Sequence, residues 1–126
     1  MLTTFKLSPN RRRVTPDAYF VIYIREAHPD SEVTVIRDGK TVLEKVGQTS
    51  DLKQRSDRAR QFAQVMKLTV PILVDKADDK VNETYAGWPE RLYVIDTDGN
   101  IAYKGGPGPG GFKISEVRDW IDRNAK

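Results

Sequence analysis

The stretch "DAYFVIYI", residues 17–24, constrains this chain more than any other. It is a near-continuous run of apolar residues rich in β-branched and aromatic types. A strand with one wet face alternates apolar and polar side chains. This run does not alternate, so it predicts a central strand covered on both faces. A second run, "VPILVD" at residues 70–75, reads as another buried strand. Between them, from Ser50 or Asp51 to about Lys67, the pattern turns helical. Leu52, Ala59, Phe62, Ala63 and Met66 fall on one face, and arginine, lysine, glutamine and aspartate fill the other. Strand, helix and strand in that order predict two adjacent parallel strands joined by a right-handed crossover.

The other segments add to this unit. "VTVIRDGKTVLEKV" places Asp38-Gly39 between two alternating runs, which predicts a hairpin. "DDKVNETYAG" reads as a short helix, with Val81 and Tyr85 four apart and Gly87 suited to its C-cap. "RLYVIDTDGNIAYKG" is a second hairpin turning at Asp98-Gly99, and "ISEVRDWIDRN" is a closing helix with Ile114, Val117 and Ile121 inward. A mixed sheet with helices on its faces is the economical α/β solution. "GGPGPGG", residues 105–111, lacks the Gly-Lys-Ser/Thr ending of a phosphate cradle and reads as a turning loop. "DKADD" lacks the spaced glycine and terminal glutamate of a calcium loop. Trp88 and Trp120 read as packing residues.

With 126 residues, no internal repeat and no linker, the expected organisation is one domain. No apolar run approaches the ~18 residues of a membrane span, and no signal-peptide pattern opens the chain. The expected setting is cytoplasmic, with no membrane partner. There is no cysteine, which excludes disulfides, thiolate metal sites and thiol redox chemistry within these residues. No cofactor or metal is expected. The formal net charge is +3, with both signs mixed along the chain. The one dense basic cluster, Arg11 to Arg13, lies in a segment 1–16 that reads as irregular. It has no interleaved aromatics, which argues against a nucleic-acid partner.

The single histidine, His28, follows the first apolar run, two residues after Glu26. Imidazole titrates near neutral pH and suits proton transfer. The plain alternatives are an exposed loop histidine, a solvent-facing Glu26, and an Arg91 paired with Glu90 for at most ~1 kcal/mol.

"YIREAHP", "LTVPILVD", "DDKVNETYAGWPERLYVID", "DGNIAYKGGPGPGGF" and "SEVRDWIDRN", in that order, resemble the iodothyronine deiodinase family. The combination of "WPERLYVID" with "GNIAYKGGPGP" carries most of the likeness. The resemblance implies a thioredoxin-like three-layer sandwich, a mixed sheet with helices on both faces, occupying 17–126. It implies thiol-dependent reductive removal of iodine from iodinated phenols, with an external thiol as reductant. In the family a selenocysteine or cysteine attacks iodine, because a soft, polarizable anion is needed. Matched to the family's motifs, Glu26 and His28 are the catalytic residues that remain, and Arg91 is a substrate-binding residue. The three are expected on one rim of the sheet.

The chain departs from the family pattern at two places. The family's Cys/Sec segment precedes the "EAHP" strand on a first strand–helix unit. Here "MLTTFKLSPNRRRVTP" stands before it, without cysteine and with Pro9 and Pro16 against any helix, so that unit reads as truncated or degenerate. After "EAHP" the family carries a tryptophan-containing insertion; here "DSEVTVIRDGKTVLEKVGQ" has neither tryptophan nor a second histidine. Three readings follow. The first is a deiodinase-like oxidoreductase whose sequence is incomplete. The second is a nucleophile-free module binding an anionic phenolic or halogenated aromatic ligand. The third is a scaffold that meets an acidic partner through its basic N-terminus. In each, these residues alone are expected to be inactive. Oligomeric state is not fixed by any of them.

Overall fold

The computed structural model describes residues 2–7 and 16–124. Its elements are β1 (Leu2–Leu7), β2 (Pro16–Tyr23), β3 (Glu32–Arg37), β4 (Lys40–Lys45), α1 (Leu52–Val65), β5 (Ile72–Val74), α2 (Lys80–Tyr85), β6 (Arg91–Ile95), β7 (Ile101–Lys104) and α3 (Ile114–Asn124). Five strands form one mixed sheet in the order β5-β2-β1-β6-β7, and β3 pairs with β4 alone. The predicted parallel pair is present: Val21, Ile22 and Tyr23 of β2 lie opposite Ile72, Leu73 and Val74 of β5. α1 is the crossover between them, and β6 and β7 form the predicted antiparallel hairpin.

Three expectations about the elements and their ends are corrected. Residues 1–16 do not read out as irregular throughout: residues 2–7 form β1 at the centre of the sheet, antiparallel to β2 and parallel to β6. Pro16 opens β2, a position where the missing N–H is tolerated. The Arg11 to Arg13 cluster lies outside the described residues. Next, β5 is an edge strand, and Leu73 is half exposed. Its apolar run is covered on one side by α1 and left open on the other. Finally, α2 is capped by Ala86, not Gly87, in the left-handed conformation at φ 47°. Ala86 N–H and Gly87 N–H close the helix end onto Glu83 and Asn82 carbonyls.

The apolar core is densest around β6. Leu92, Tyr93 and Val94 are all buried, and Leu92 and Val94 pack with Val117 of α3. Tyr103, Phe112, Trp120 and Ile121 close around them. Each such aliphatic side chain contributes roughly 1.5–3 kcal/mol by leaving water. Ile114, expected inward, is 59% exposed. It begins α3, before the helix reaches β6.

On the other side of the sheet's centre, polar groups are buried beside Val21, Ile24, Val35 and Ala59. Arg55, expected on the wet face of α1, is 2% exposed. Its Nε donates to Thr49 Oγ1 at 3.1 Å. Its Nη1 donates to the carbonyls of Asp75 and Lys76 and to Asp79 Oδ1, the last two at 2.7 Å. Asp75, also 2% exposed, accepts from the backbone of Val81 and Asn82 at the start of α2. One guanidinium thus ties α1 to the loop after β5, and one carboxylate ties that loop to α2. A buried cation is tolerated only with such a set of acceptors.

Candidate functional site: a cavity beyond the end of β2

β2 leaves the sheet after Tyr23, and the chain turns at residues 28–31, where Ser31 N–H reaches the His28 carbonyl at 3.1 Å. The β3–β4 hairpin then folds back over α1. Three surfaces therefore meet around a cavity of about 460 Å³. One is the strand end, residues 23–28. The second is Val33, Thr34 and Val35 of β3 with Val46. The third is the face of α1 carrying Arg58, Gln61, Phe62, Val65 and Met66. Pro89 closes the remaining side. Most of this surface is apolar, and the volume falls in the ordinary range for a small-molecule pocket.

Glu26 and His28 both border this cavity. Glu26 holds the strand end in place. Its Oε1 accepts from the Tyr23 hydroxyl at 3.2 Å. Its Oε2 accepts from Gln48 Nε2 and, at 3.0 Å each, from Thr49 N–H and Thr49 Oγ1. Because Thr49 Oγ1 also accepts from Arg55, the strand end is wired to the buried guanidinium through one hydroxyl. Burial, then the negative charge of Glu26 and its hydrogen bond, push the Tyr23 phenol well above the ordinary tyrosine value. Tyr23 is therefore a neutral donor at any physiological pH, and its ring tilts against Phe62 at 5.8 Å.

The His28 imidazole is exposed at the rim and has no hydrogen-bond partner among the described residues. Glu26 gives its oxygens to Tyr23, Gln48 and Thr49 and is not bonded to His28. Arg91 does not border the cavity. It opens β6, antiparallel to β2 in the common sheet, and stands at the same end: Leu2 pairs with both Ile22 and Arg91. Two strand spacings of ~4.8 Å thus separate Arg91 from Ile22. Its positive charge acts on the Tyr93 phenol, whose hydroxyl donates to the Tyr85 carbonyl, and its Nε is sealed from solvent without a partner among the described residues. Beside it, Gly108 N–H reaches the Glu90 carbonyl at 2.8 Å, and a Cβ at Gly108 would collide with the Glu90 side chain. The 105–111 loop is accordingly a close cover for the start of β6.

Sequence reading missed two cavity residues. Arg58 looked like one more polar-face residue of α1; it donates from Nη2 to the Val46 carbonyl at 3.1 Å. Arg25 was not singled out at all; its guanidinium lies 5.6 Å from the Trp88 ring centroid. No local signal marks either, because each is defined by a segment distant in sequence. Among the described residues no group of three or more His, Asp or Glu side chains could hold a metal ion, and no helix is long and apolar enough to cross a membrane. The site can enclose an apolar, flat body and present an imidazole at its mouth. It offers no thiol, since the 126 residues contain no cysteine.

The sequence profile of the iodothyronine deiodinase family matches residues 4–125. Thyroxine 5-deiodinase of Sparus aurata is 36% identical over 108 residues, covering 83% of this chain and 37% of that protein. The Gallus gallus protein of the same name is 36% identical over 105 residues, covering 83% and 38%. The Homo sapiens one is 35% identical over 108 residues, covering 83% and 33%. The chain thus spans little more than a third of the length of these curated relatives. No solved structure matches it significantly.

Proposed function

The chain belongs to the iodothyronine deiodinase family, and from that premise we propose that its cavity receives an iodinated phenol for thiol-dependent reductive deiodination. The reaction balances as follows. A thiolate or selenolate takes iodine from the aryl carbon, the carbon gains a proton, and a second thiol displaces iodide from the sulfenyl or selenenyl iodide, leaving a disulfide or its selenium counterpart. The single observation carrying this reading is the apolar cavity that has His28 at its rim. His28 is placed to supply the proton or to hydrogen-bond the phenol. Glu26 fixes the strand end that carries it. Arg91, at the same end of the sheet, adds positive charge behind the site.

The nucleophile has to come from outside these 126 residues, which contain no cysteine. This makes the nucleophile-free binding module the second reading. A finer fold assignment also belongs here: the mixed sheet, with its β6–β7 hairpin followed by α3, supports a thioredoxin-like sandwich. A reducing compartment such as the cytoplasm would supply the dithiol.

The test has two parts. In excess dithiol the chain alone is expected to release no iodide from an iodothyronine, because a methionine thioether cannot ionise to a thiolate. In a ¹H–¹⁵N titration, 2-iodophenol is expected to shift the amides of residues 23–28, 33–35 and 61–66. Shifts confined to other surfaces would refute the cavity reading. Turnover that survives repurification and vanishes in His28→Ala would refute the external nucleophile.

A further inference from the structure

Three cationic or potentially cationic side chains border the cavity: Arg25, His28 and Arg58. They are not equivalent. Arg58 is committed to the Val46 carbonyl, and its Nη1 is sealed from solvent without a partner among the described residues. It is part of the wall. Arg25 is exposed and borders the mouth. It has no carboxylate partner among the described residues, yet it is not loose, because its guanidinium lies 5.6 Å from the centroid of the Trp88 ring. A stacked guanidinium keeps its N–H edges free while its orientation is restricted. That is the arrangement that grips a carboxylate by two parallel hydrogen bonds. Glu26, the one carboxylate on the same cavity, has its oxygens occupied by Tyr23, Gln48 and Thr49. Its charge disfavours an anion on that side and leaves the Arg25–Trp88 side as the place for one.

We propose that Arg25, held by Trp88, selects the ligand by charge: the cavity takes an aromatic body carrying one carboxylate, with the ring inside and the carboxylate on the Arg25 guanidinium at the mouth. This rests on the reading of the cavity as the ligand site. It adds a specificity residue that neither the "EAHP" motif nor the strand of Arg91 contains.

The probes are 3-(4-hydroxy-3-iodophenyl)propanoate and its primary amide, which share a ring and differ in one charge. Calorimetric titration at pH 6.5 and low salt is expected to show the carboxylate binding ~10-fold more tightly, the usual size of a charge-assisted contact at a partly wet site. In Arg25→Gln the ratio falls to about one, with the amide affinity unchanged. In Trp88→Leu, which keeps the cation and removes its support, the ratio falls part of the way. In Arg37→Gln, a surface cation of β3 paired with Glu44, the ratio stays. A tenfold ratio that survives Arg25→Gln overturns the assignment. So does equal binding of the two probes to the unmodified chain, which would leave the cavity reading standing. Binding of neither overturns the cavity reading and this inference together.

Discussion

The two halves of this molecule are held together by different physics. Around β6 and α3 the interior is hydrocarbon: Leu92, Val94 and Val117 are sealed, with aromatic rings around them. Around α1 the charged and polar groups Arg55, Asp75 and Thr49 are sealed in beside Ala59 and Val35, and an open cavity lies next to them. Apolar packing is tolerant in direction and punishes lost volume. A hydrogen-bonded guanidinium is the reverse, since it fixes angles and punishes a lost partner. The half that must hold a strand end and a hairpin apart around a void is the half built with directional bonds. The difference teaches that rigidity near the cavity comes from Arg55 and Glu26, and bulk stability from β6.

The contrast is most exposed to failure at Arg55. Arg55→Ala leaves Asp79, Thr49 and two carbonyls without their donor, and the expected loss is about 4 kcal/mol in urea unfolding. A loss under 1 kcal/mol would show that water replaces the guanidinium freely and that the polar half is not clamped. In the other half, Leu92→Ala is expected to cost about 3 kcal/mol through lost transfer energy and a cavity. It should leave the amide shifts of residues 23–28 unmoved. Changes there would mean that the halves are coupled through β1.

Tyr23 gives a smaller and pH-resolved test. Its hydroxyl bond to Glu26 is worth about 1 kcal/mol near neutrality, so Tyr23→Phe should lose that much. The folded phenol is held above the ordinary value of 10.0. Between that value and the raised one, the folded state keeps a proton that the unfolded state has lost. Stability is therefore full below pH 10 and falls as pH rises beyond it. The slope is at most about 1.4 kcal/mol per pH unit for one proton, and less for a ring that solvent still reaches. Tyr93 and Tyr103 are also raised, chiefly by burial. The readout is thus the difference between the chain and its Tyr23→Phe variant, which should be less steep in alkali; identical slopes would remove Tyr23 from the clamp. Smallest of all is Ile114→Ala, expected within ~0.5 kcal/mol because the side chain is largely in water already. A loss above 1 kcal/mol would extend the hydrocarbon half to the start of α3.

What the sequence made legible follows the same division. The elements of the hydrocarbon half, β6, β7 and α3, lie where their periodicity puts them, since apolar spacing is a local signal. β2, β5, α1 and the β3–β4 hairpin were legible for the same reason. β1 was not. "LTTFKL" is short and is followed by a basic stretch with two prolines; it is a strand because β2 and β6 both pair with it. Arg55 was not legible either. A cation on an amphipathic helix reads as solvated, and its acceptors come from the loop beyond β5. At the site, Glu26 and His28 share a cavity, as their nearness in sequence allows. Arg91 shares only the end of the sheet. The walls supplied by β3 and α1, and the stacking of Arg25 on Trp88, depend on tertiary approach and leave no trace in local pattern.

The open side of β5 has a bearing on how the molecule survives at high concentration. A sheet edge is a template on which a second chain can grow, and a long, flat one invites fibrous association. Here, among the described residues, the sheet stops at three residues on one side and four on the other. The Pro71 carbonyl, directly before β5, accepts from Val21 N–H, so alternate residues from 71 face β2 and only Ile72 and Val74 present backbone groups at the open edge. On the opposite border Lys104 would place a charge in any such junction. Borders this short offer an incoming strand few backbone groups to pair with.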